Sequence, residues 1–170
     1  MNIDIAIIPE TKKKQKGAAE FEDYILLYSG VPVKKKRAAV GIAILVKKQM
    51  KNRIQNYEMI DERILKLRYK THRGYTTLIG VYSPEEGRRE EALKFYEKLQ
   101  KIINGINSHD SIILAGDFNA RVGEVPIENV MGKNGERILN SNGQLLIDFA
   151  IFNKLRIITN RLLFSTQRHS

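Results

Sequence analysis

The sequence predicts an α/β (α+β) sandwich with mixed sheets. Five apolar stretches have the length and composition of strands: residues 3–8, 23–28, 38–46, 64–69 and 75–82. The last two flank the turn at residues 71–74, which is typical of an antiparallel pair. Apolar residues at helical spacing occur only in later segments. The pattern therefore predicts hairpins and a few helices rather than a strict alternation of strands and helices. The run at 38–46 is apolar throughout, which predicts a central strand.

Two helices and two further strands complete the prediction. The first helix opens at Pro84-Glu85-Glu86, where acidic residues favour a helix start, and runs to about Asn104. Its inward face has residues at helical spacing: Leu93, Tyr96, Leu99 and Ile103. The second helix is capped by Asn142 and ends near Asn153. Its inward residues are Leu145, Leu146, Phe149 and Phe152. Strands are expected at residues 111–116 and 155–159.

Composition limits the class of protein. A chain of 170 residues is one domain at most, and a hydrophobic content of 42% is enough for a core. The absence of Cys excludes disulfides and Cys-ligated metal sites. Since no apolar run approaches the roughly 20 residues of a membrane span, we expect no membrane partner.

The positive charge is concentrated in the first half of the chain. Residues 1–75 hold 17 Lys and Arg against 8 Asp and Glu, whereas the remainder holds 12 against 11. The basic runs are residues 12–16, 34–37 and 47–53. A basic half of the chain suits a polyanionic partner such as DNA. We expect this binding to be weak, independent of DNA sequence and strongly dependent on salt concentration. A set of solvated surface lysines is the equally weighted alternative.

The most informative segment is residues 111–123. Its apolar residues 112–115 predict a buried strand, and Asp117 and Asn119 follow at its end. In an extended chain, residues two apart point the same way, so these two side chains are expected to project together, with Phe118 turned to the core. There they could orient a water and hold a phosphate oxygen. An ordinary turn is the alternative, but the string Gly-Asp-Phe-Asn-Ala after an apolar strand is more specific.

That string resembles the endonuclease/exonuclease/phosphatase superfamily, which has a DNase I-like, four-layer α/β sandwich. The resemblance extends along nearly the whole chain and is strongest to LINE-type retrotransposon endonuclease domains and to craniofacial development protein 2-like sequences. It implies that residues 1–170 are the N-terminal and central part of one such domain, with the C-terminal strands missing.

The resemblance also implies the site. Glu10, in a Pro-Glu-Thr-Lys string where the family has Gln before Glu, matches the metal-binding residue. Tyr82 matches a Tyr that contacts the scissile phosphate, Asp117 the residue that orients water, and Asn119 a phosphate hydrogen-bond donor. Arg63 is a weaker candidate for a phosphate contact, and a solvated surface arginine is the favoured interpretation.

The implied reaction is hydrolysis of DNA phosphodiesters with Mg²⁺, for which Mn²⁺ could substitute. The family also uses an Asn before the first strand, a later Asp and a terminal Asp-His pair, which this sequence lacks. The tripeptide Ser108-His109-Asp110 has the wrong order and lies before the strand that leads to Asp117. We therefore expect little or no nuclease activity from these 170 residues and recovery of activity in a longer chain.

Two alternatives remain open. The first is a non-catalytic remnant that binds nucleic acid or chromatin through its basic half. The second is a phosphatase of the same superfamily acting on a phosphoinositide or similar lipid phosphate. The basic first half of the chain and the retrotransposon-like sequences of the motifs favour a DNA substrate over a lipid phosphate.

Overall fold

A computed structural model describes residues 3–32, 40–133 and 135–158. The basic run at 34–37 and the first two residues of the predicted strand 38–46 lie outside the described residues. The chain divides into two compact units, the first comprising Met1–Ser83 and Lys98–Phe118, the second Pro84–Glu97 and Asn119–Ser170. The single-domain expectation stays a prediction.

The first unit contains an antiparallel sheet of four strands in the order β1-β4-β3-β2. The strands are β1 (Ile5–Pro9), β2 (Lys16–Glu20), β3 (Tyr24–Gly30) and β4 (Gly41–Lys47). Three of them were predicted, and β4 is central as expected, with Ile42, Ala43 and Ile44 fully buried. Strand β2 was missed because its Lys-Gly-Ala-Ala-Glu sequence has no apolar run.

A second four-stranded sheet in the same unit has the order β5-β6-β7-β8. The strands are β5 (Ile54–Asp61), β6 (Ile64–Thr71), β7 (Gly74–Tyr82) and β8 (Ser111–Asp117). The antiparallel β6–β7 hairpin was predicted, whereas β8 pairs parallel to β7. A 3-10 helix (Lys48–Arg53) precedes β5. Strand β5 was not predicted, because much of it is polar and exposed.

The core of the first unit lies between the two sheets. Its buried cluster draws Ile25, Leu27, Ile42, Ile44 and Val46 from one sheet and Leu65, Leu67 and Leu78 from the other. Alternate residues of β3 and β4 supply one side, as the period of two in a strand requires. The fold is therefore the predicted α+β sandwich, with two four-stranded sheets and few helices.

Strand β8 is not the buried strand that its sequence predicts. Among the described strands it lies at the edge of its sheet and pairs with β7 alone. Ile113 is 45% exposed, and Ser111, Gly116 and Asp117 are also exposed. An apolar run predicts a strand correctly, but whether its faces are covered depends on the elements packed against it.

Helix α1 (Arg89–Asn104) begins five residues later than predicted. Glu86 does not open it, because its carboxylate accepts hydrogen bonds from Ser141 and Asn142 instead. Glu90 and Glu91 supply the acidic first turn. The predicted apolar face was wrong at Leu93, which is 41% exposed. The buried residues of the helix are Ala92, Phe95, Tyr96 and Leu99.

Helix α2 (Ser141–Phe152) lies in the second unit, and its cap differs from the prediction. Asn140, not Asn142, is the N-cap, and its Oδ1 accepts a hydrogen bond from the Gly143 N–H at 2.7 Å. Phe152, predicted inward, is 76% exposed. No helix in the described part of the chain is long and apolar enough to cross a membrane.

The second unit has its own small core. Val122, Met131 and Ile147 form a buried cluster, and Tyr96 packs against Phe149 with ring centroids 5.2 Å apart. The strand predicted at 155–159 does not form over residues 155–158, where Ile157 makes only an isolated bridge to Met131. Residue 159 lies outside the described residues.

Asp110 has a structural role in the first unit. Arg68 on β6 binds its carboxylate through two nitrogens, at 2.6 and 2.9 Å, and the Thr77 hydroxyl donates to it at 2.8 Å. The Asp110 side chain is 2% exposed. The Arg68 guanidinium holds the pKa of Asp110 below its ordinary value, and Thr77 adds to the effect. The network ties the start of β8 to β6 and β7.

We predict that Asp110→Asn lowers the free energy of unfolding by about 2–3 kcal/mol at pH 7, because it leaves Arg68 without its buried partner. A carboxyl with a depressed pKa stabilises the fold above its unfolded pKa and loses that contribution as pH falls through the folded pKa. The difference between wild type and variant should therefore be constant at neutral pH and shrink below about pH 4, near the ordinary Asp pKa. Urea unfolding at several pH values measures this, and a difference that is independent of pH would contradict it.

Candidate functional site

Four of the predicted site residues lie at one end of the two facing sheets. In the first sheet, Pro9, Ile42 and Ser29 are neighbours across the strands. In the second sheet the corresponding row is Asp61, Ile64, Val81 and Gly116. The Ser29 hydroxyl donates to the Asp61 carbonyl at 2.5 Å, so the two rows face each other. Glu10 directly follows Pro9, a member of the first row. Each of the other three residues is next in sequence to a member of the second row: Arg63, Tyr82 and Asp117.

Close packing at Gly80 supports this alignment. A Cβ placed on Gly80 would lie 3.3 Å from Ile42 Cδ1 and 3.4 Å from Ile7 Cδ1. Gly80 is two residues before Tyr82, and Ile7 is three residues before Glu10. The C-terminal ends of β1 and β7 therefore point the same way, and Glu10 is not at the opposite end of the sandwich from Asp117.

Glu10 begins a short strap, residues 10–15, that crosses the end of the first sheet. The carboxylate is 53% exposed and lies 3.2 Å from the Lys12 ammonium group. Glu10, Lys12 and Gln15 have φ values of 54°, 50° and 66°. Left-handed backbone at residues with a Cβ costs about 1 kcal/mol or more each, so this conformation has to be imposed by its surroundings.

Two glycines and the backbone hydrogen bonds around them hold the strap in this left-handed conformation. Gly30 and Gly41 are direct partners across β3 and β4, and the strap lies against both. A Cβ on Gly30 would lie 2.1 Å from the Lys13 carbonyl oxygen, and one on Gly41 would lie 2.5 Å from Thr11 Oγ1. Backbone hydrogen bonds complete the attachment, from Thr11 N to Gly41 O and from Val31 N to Lys13 O. The absence of two side chains thus sets the position of Glu10.

Arg63, Tyr82 and Asp117 are joined by backbone contacts. The Tyr82 N–H donates to the Arg63 carbonyl at 2.9 Å, and Arg63 Nη1 donates to the Tyr82 carbonyl at 3.2 Å. Tyr82 and Asp117 are the last residues of β7 and β8 and face each other in the parallel register. Arg63 is half-buried, with its guanidinium 5.6 Å from the Tyr82 ring centroid, so the solvated-surface interpretation of this residue is wrong.

Asn119 belongs to the second unit. Its backbone has a φ of 47°, and β8 ends at Asp117, so the extended geometry assumed for the pair stops before Asn119. The extended backbone from which Asp117 and Asn119 were expected to project together is therefore not present at Asn119. Phe118 is half-buried rather than a full core residue. The Asn119 carbonyl accepts a hydrogen bond from Asn142 Nδ2 at 3.1 Å.

The candidate site offers few protein ligands for a divalent cation. Among the residues that the structure describes, no group of three or more His, Asp or Glu could hold a metal ion. Mg²⁺, however, commonly takes one or two carboxylates and fills its other positions with water and substrate phosphate. The exposed carboxylate of Glu10 fits that mode of binding, and it does not fit a cage built from protein ligands alone.

Part of the basic half lies at the same end. Lys12, Lys13 and Lys14 are exposed on the strap, and the Lys13 ammonium lies 4.6 Å from the Tyr28 ring centroid. Lys48 and Lys51 lie at the other end of the first sheet, where both pair with Glu20 and thereby lower the pKa of that carboxyl. The described basic residues therefore do not form one continuous patch.

Sequence reasoning missed the residues that support the site. Gly30 and Gly41 stand at strand ends, where a glycine is unremarkable without knowledge of the strap. Asn142 was assigned to capping, whereas it is 2% exposed and donates to two carbonyls. The available signal was the string Asn140-Ser141-Asn142-Gly143, in which Asn140 also has the spacing of an N-cap to Gly143.

We predict that Gly30→Ala destabilises the fold by about 1–3 kcal/mol, because the new Cβ would displace the backbone of the strap. Gly132→Ala is the matched control, since a Cβ there meets nothing within 4 Å. Chemical denaturation compares the two variants, and backbone NMR shifts of residues 10–15 report displacement of the strap. Equal stability of the two variants would show that the glycine pair does not hold the strap.

Comparison with known proteins gives one consistent result. The chain is 32% identical over 166 residues to craniofacial development protein 2 of Bos taurus, an alignment that covers 95% of this chain and 27% of that protein. The corresponding protein of Tragulus javanicus gives 32% identity over 166 residues and 28% coverage of its length. No family model matches the chain. It spans little more than a quarter of the length of the curated relatives it matches, and nearly all of its own length is similar to craniofacial development protein 2.

Proposed function

We propose that this chain is part of a Mg²⁺-dependent phosphodiester hydrolase of the endonuclease/exonuclease/phosphatase type, acting on DNA and of retrotransposon origin. The observation that carries the proposal is the placement of Glu10, Arg63, Tyr82 and Asp117 at one end of two facing sheets. These residues are far apart in sequence, and each follows or ends a strand. The resemblance of their motifs to the superfamily supplies the chemistry.

Each residue has a proposed part in the reaction. Asp117 accepts a hydrogen bond from water and orients it for attack on phosphorus. The Tyr82 hydroxyl donates to a phosphate oxygen, and the neighbouring Arg63 guanidinium adds positive charge. The side-chain amide of Asn119 donates a hydrogen bond to phosphate, a role that rests only on the resemblance of its motif. Glu10 would hold Mg²⁺ or Mn²⁺, which when bound neutralises phosphate charge and stabilises the leaving oxygen.

DNA is the proposed substrate because the strap beside Glu10 presents three consecutive exposed lysines. Ammonium groups on such a strap attract a phosphate backbone without reading bases. The second candidate function, binding of nucleic acid or chromatin without catalysis, rests on the same lysines. A lipid-phosphate substrate has less support, because the strap of exposed lysines suits an extended polyanion and the motifs resemble those of retrotransposon endonucleases.

We predict that Asp117→Asn and Glu10→Gln each lower Mg²⁺-dependent nicking of supercoiled plasmid by about 100-fold or more, since each removes a group that acts in the transition state. The assay uses protein in excess over plasmid, so that slow nicking is scored. Asp23→Asn and Glu22→Gln are matched controls, because both residues are exposed in the loop before β3, at the other end of the first sheet. Both controls should retain wild-type nicking.

The same preparations separate the candidate functions when DNA binding is measured at several salt concentrations. Salt-dependent binding with no nicking that depends on Asp117 would favour the non-catalytic alternative. Hydrolysis of a phosphoinositide but not of plasmid would favour the lipid substrate. Nicking that is equal in wild type, Asp117→Asn and Asp23→Asn would contradict the site assignment.

A further inference from the structure

We propose that Asn142 is a positioning residue that fixes the backbone of Asn119 and so places its side-chain amide. Asn142 is 2% exposed, and its Nδ2 donates to the Asn119 carbonyl at 3.1 Å and to the Pro84 carbonyl at 3.0 Å. Both protons of the amide are therefore used within the second unit. A side chain this buried, with two backbone acceptors, leaves its partners little freedom.

The backbone of Asn142 is itself fixed from the opposite side. The Glu86 carboxylate accepts hydrogen bonds from the Asn142 N–H at 3.1 Å, the Ser141 N–H at 3.3 Å and the Ser141 hydroxyl. These bonds satisfy donors at the N-terminus of α2, where negative charge is favoured. The Ser141 hydroxyl is the main cause of a lowered pKa at Glu86. Asn142 is thus held by the helix start while it holds Asn119.

The segment that follows Asn119 lies directly on this helix start. The Asn140 N–H donates to the Arg121 carbonyl at 3.0 Å, and the Arg121 N–H donates to Asn140 Oδ1 at 2.9 Å. A Cβ on Gly143 would lie 1.9 Å from the Arg121 carbonyl oxygen, so only glycine permits this approach. The helix start therefore holds residues 119–121 from two sides.

Asn119 needs such support because its φ of 47° is left-handed. Asparagine tolerates this conformation better than most residues but does not prefer it over extended backbone. Without the Asn142 amide, the Asn119 carbonyl would lose its 3.1 Å donor and the segment could relax. The side-chain amide of Asn119 would then point elsewhere, and its proposed hydrogen bond to phosphate would weaken. The catalytic part of this inference rests on the proposed function.

The direct test compares Asn142→Asp with Asn140→Asp, the same chemical change two residues apart. Asn140→Asp keeps the Oδ1 acceptor for Gly143 and Arg121, and the repulsion it adds acts on one carbonyl, Asn119 O, across a longer contact of 3.4 Å. Asn142→Asp replaces a donor of two bonds with a carboxylate that repels both carbonyls. The Cα and Cβ chemical shifts of Asn119 report its φ. They should move in Asn142→Asp and stay near the wild-type values in Asn140→Asp.

A measurement on the unaltered chain covers the case in which Asn142→Asp does not fold. The Asn142 side-chain NH₂ should exchange with solvent at least about tenfold more slowly than that of exposed Asn107, because both of its protons are bonded. Exchange as fast as at Asn107 would overturn the proposal. Unmoved Asn119 shifts in folded Asn142→Asp would also overturn it.

Plasmid nicking tests the catalytic part. Asn142→Asp should lower kcat about tenfold or more, with a smaller change in KM, and should have no added effect in an Asn119→Ala background. A full additional loss in that background would show that Asn142 does not act through Asn119. Shifted Asn119 signals together with nicking that does not depend on Asp117 would uphold the positioning and reject the proposed function, so the two failures are distinguishable.

Discussion

The alignment of the two sheets is the constraint on which the candidate site depends. Strand ends that are distant in sequence converge only because the row through Ser29 faces the row through Asp61. Ser29 is fully buried, and its hydroxyl is satisfied by a backbone carbonyl across the interface. The apolar cluster between the sheets supplies the driving force, whereas this polar contact and the close approach at Gly80 fix the register. A shift of either sheet would separate Glu10 from Tyr82 and Asp117.

Strained backbone occurs next to the residues to which chemistry is assigned. Glu10 and Asn119 both have left-handed φ values, and both are held by neighbours that have no direct part in the proposed reaction. For Glu10 the neighbours are the paired glycines Gly30 and Gly41; for Asn119 the neighbour is the buried amide of Asn142. Unfavourable conformations of this kind persist where the surrounding structure over-determines them. Both supports act by setting the position of one side chain.

Local pattern predicted much of the fold. The β6–β7 hairpin and central β4 follow from apolar runs and turn residues, which act over short distances in sequence. Polar β5 and small-residue β2 carry no such signal, because their pairing depends on neighbours that the sequence does not identify. The site residues were found through motifs at strand ends. Their supports were missed since the roles of Gly30 and Asn142 arise from contacts across 17 and 23 residues. The exposure of Ile113 likewise depends on what covers an edge strand.

The central claim is that one end of the sandwich holds a divalent cation beside Tyr82 and Asp117. Paramagnetic Mn²⁺, titrated into the isotopically labelled chain, measures this directly, because it broadens the NMR signals of nuclei near its binding site more strongly than those of distant nuclei. The account predicts early broadening of Glu10, Tyr82 and Asp117, later broadening of Tyr24, Lys47 and Ser111 at the other end of the sheets, and loss of the effect in Glu10→Gln. Broadening that is uniform, or strongest away from Glu10, would contradict it.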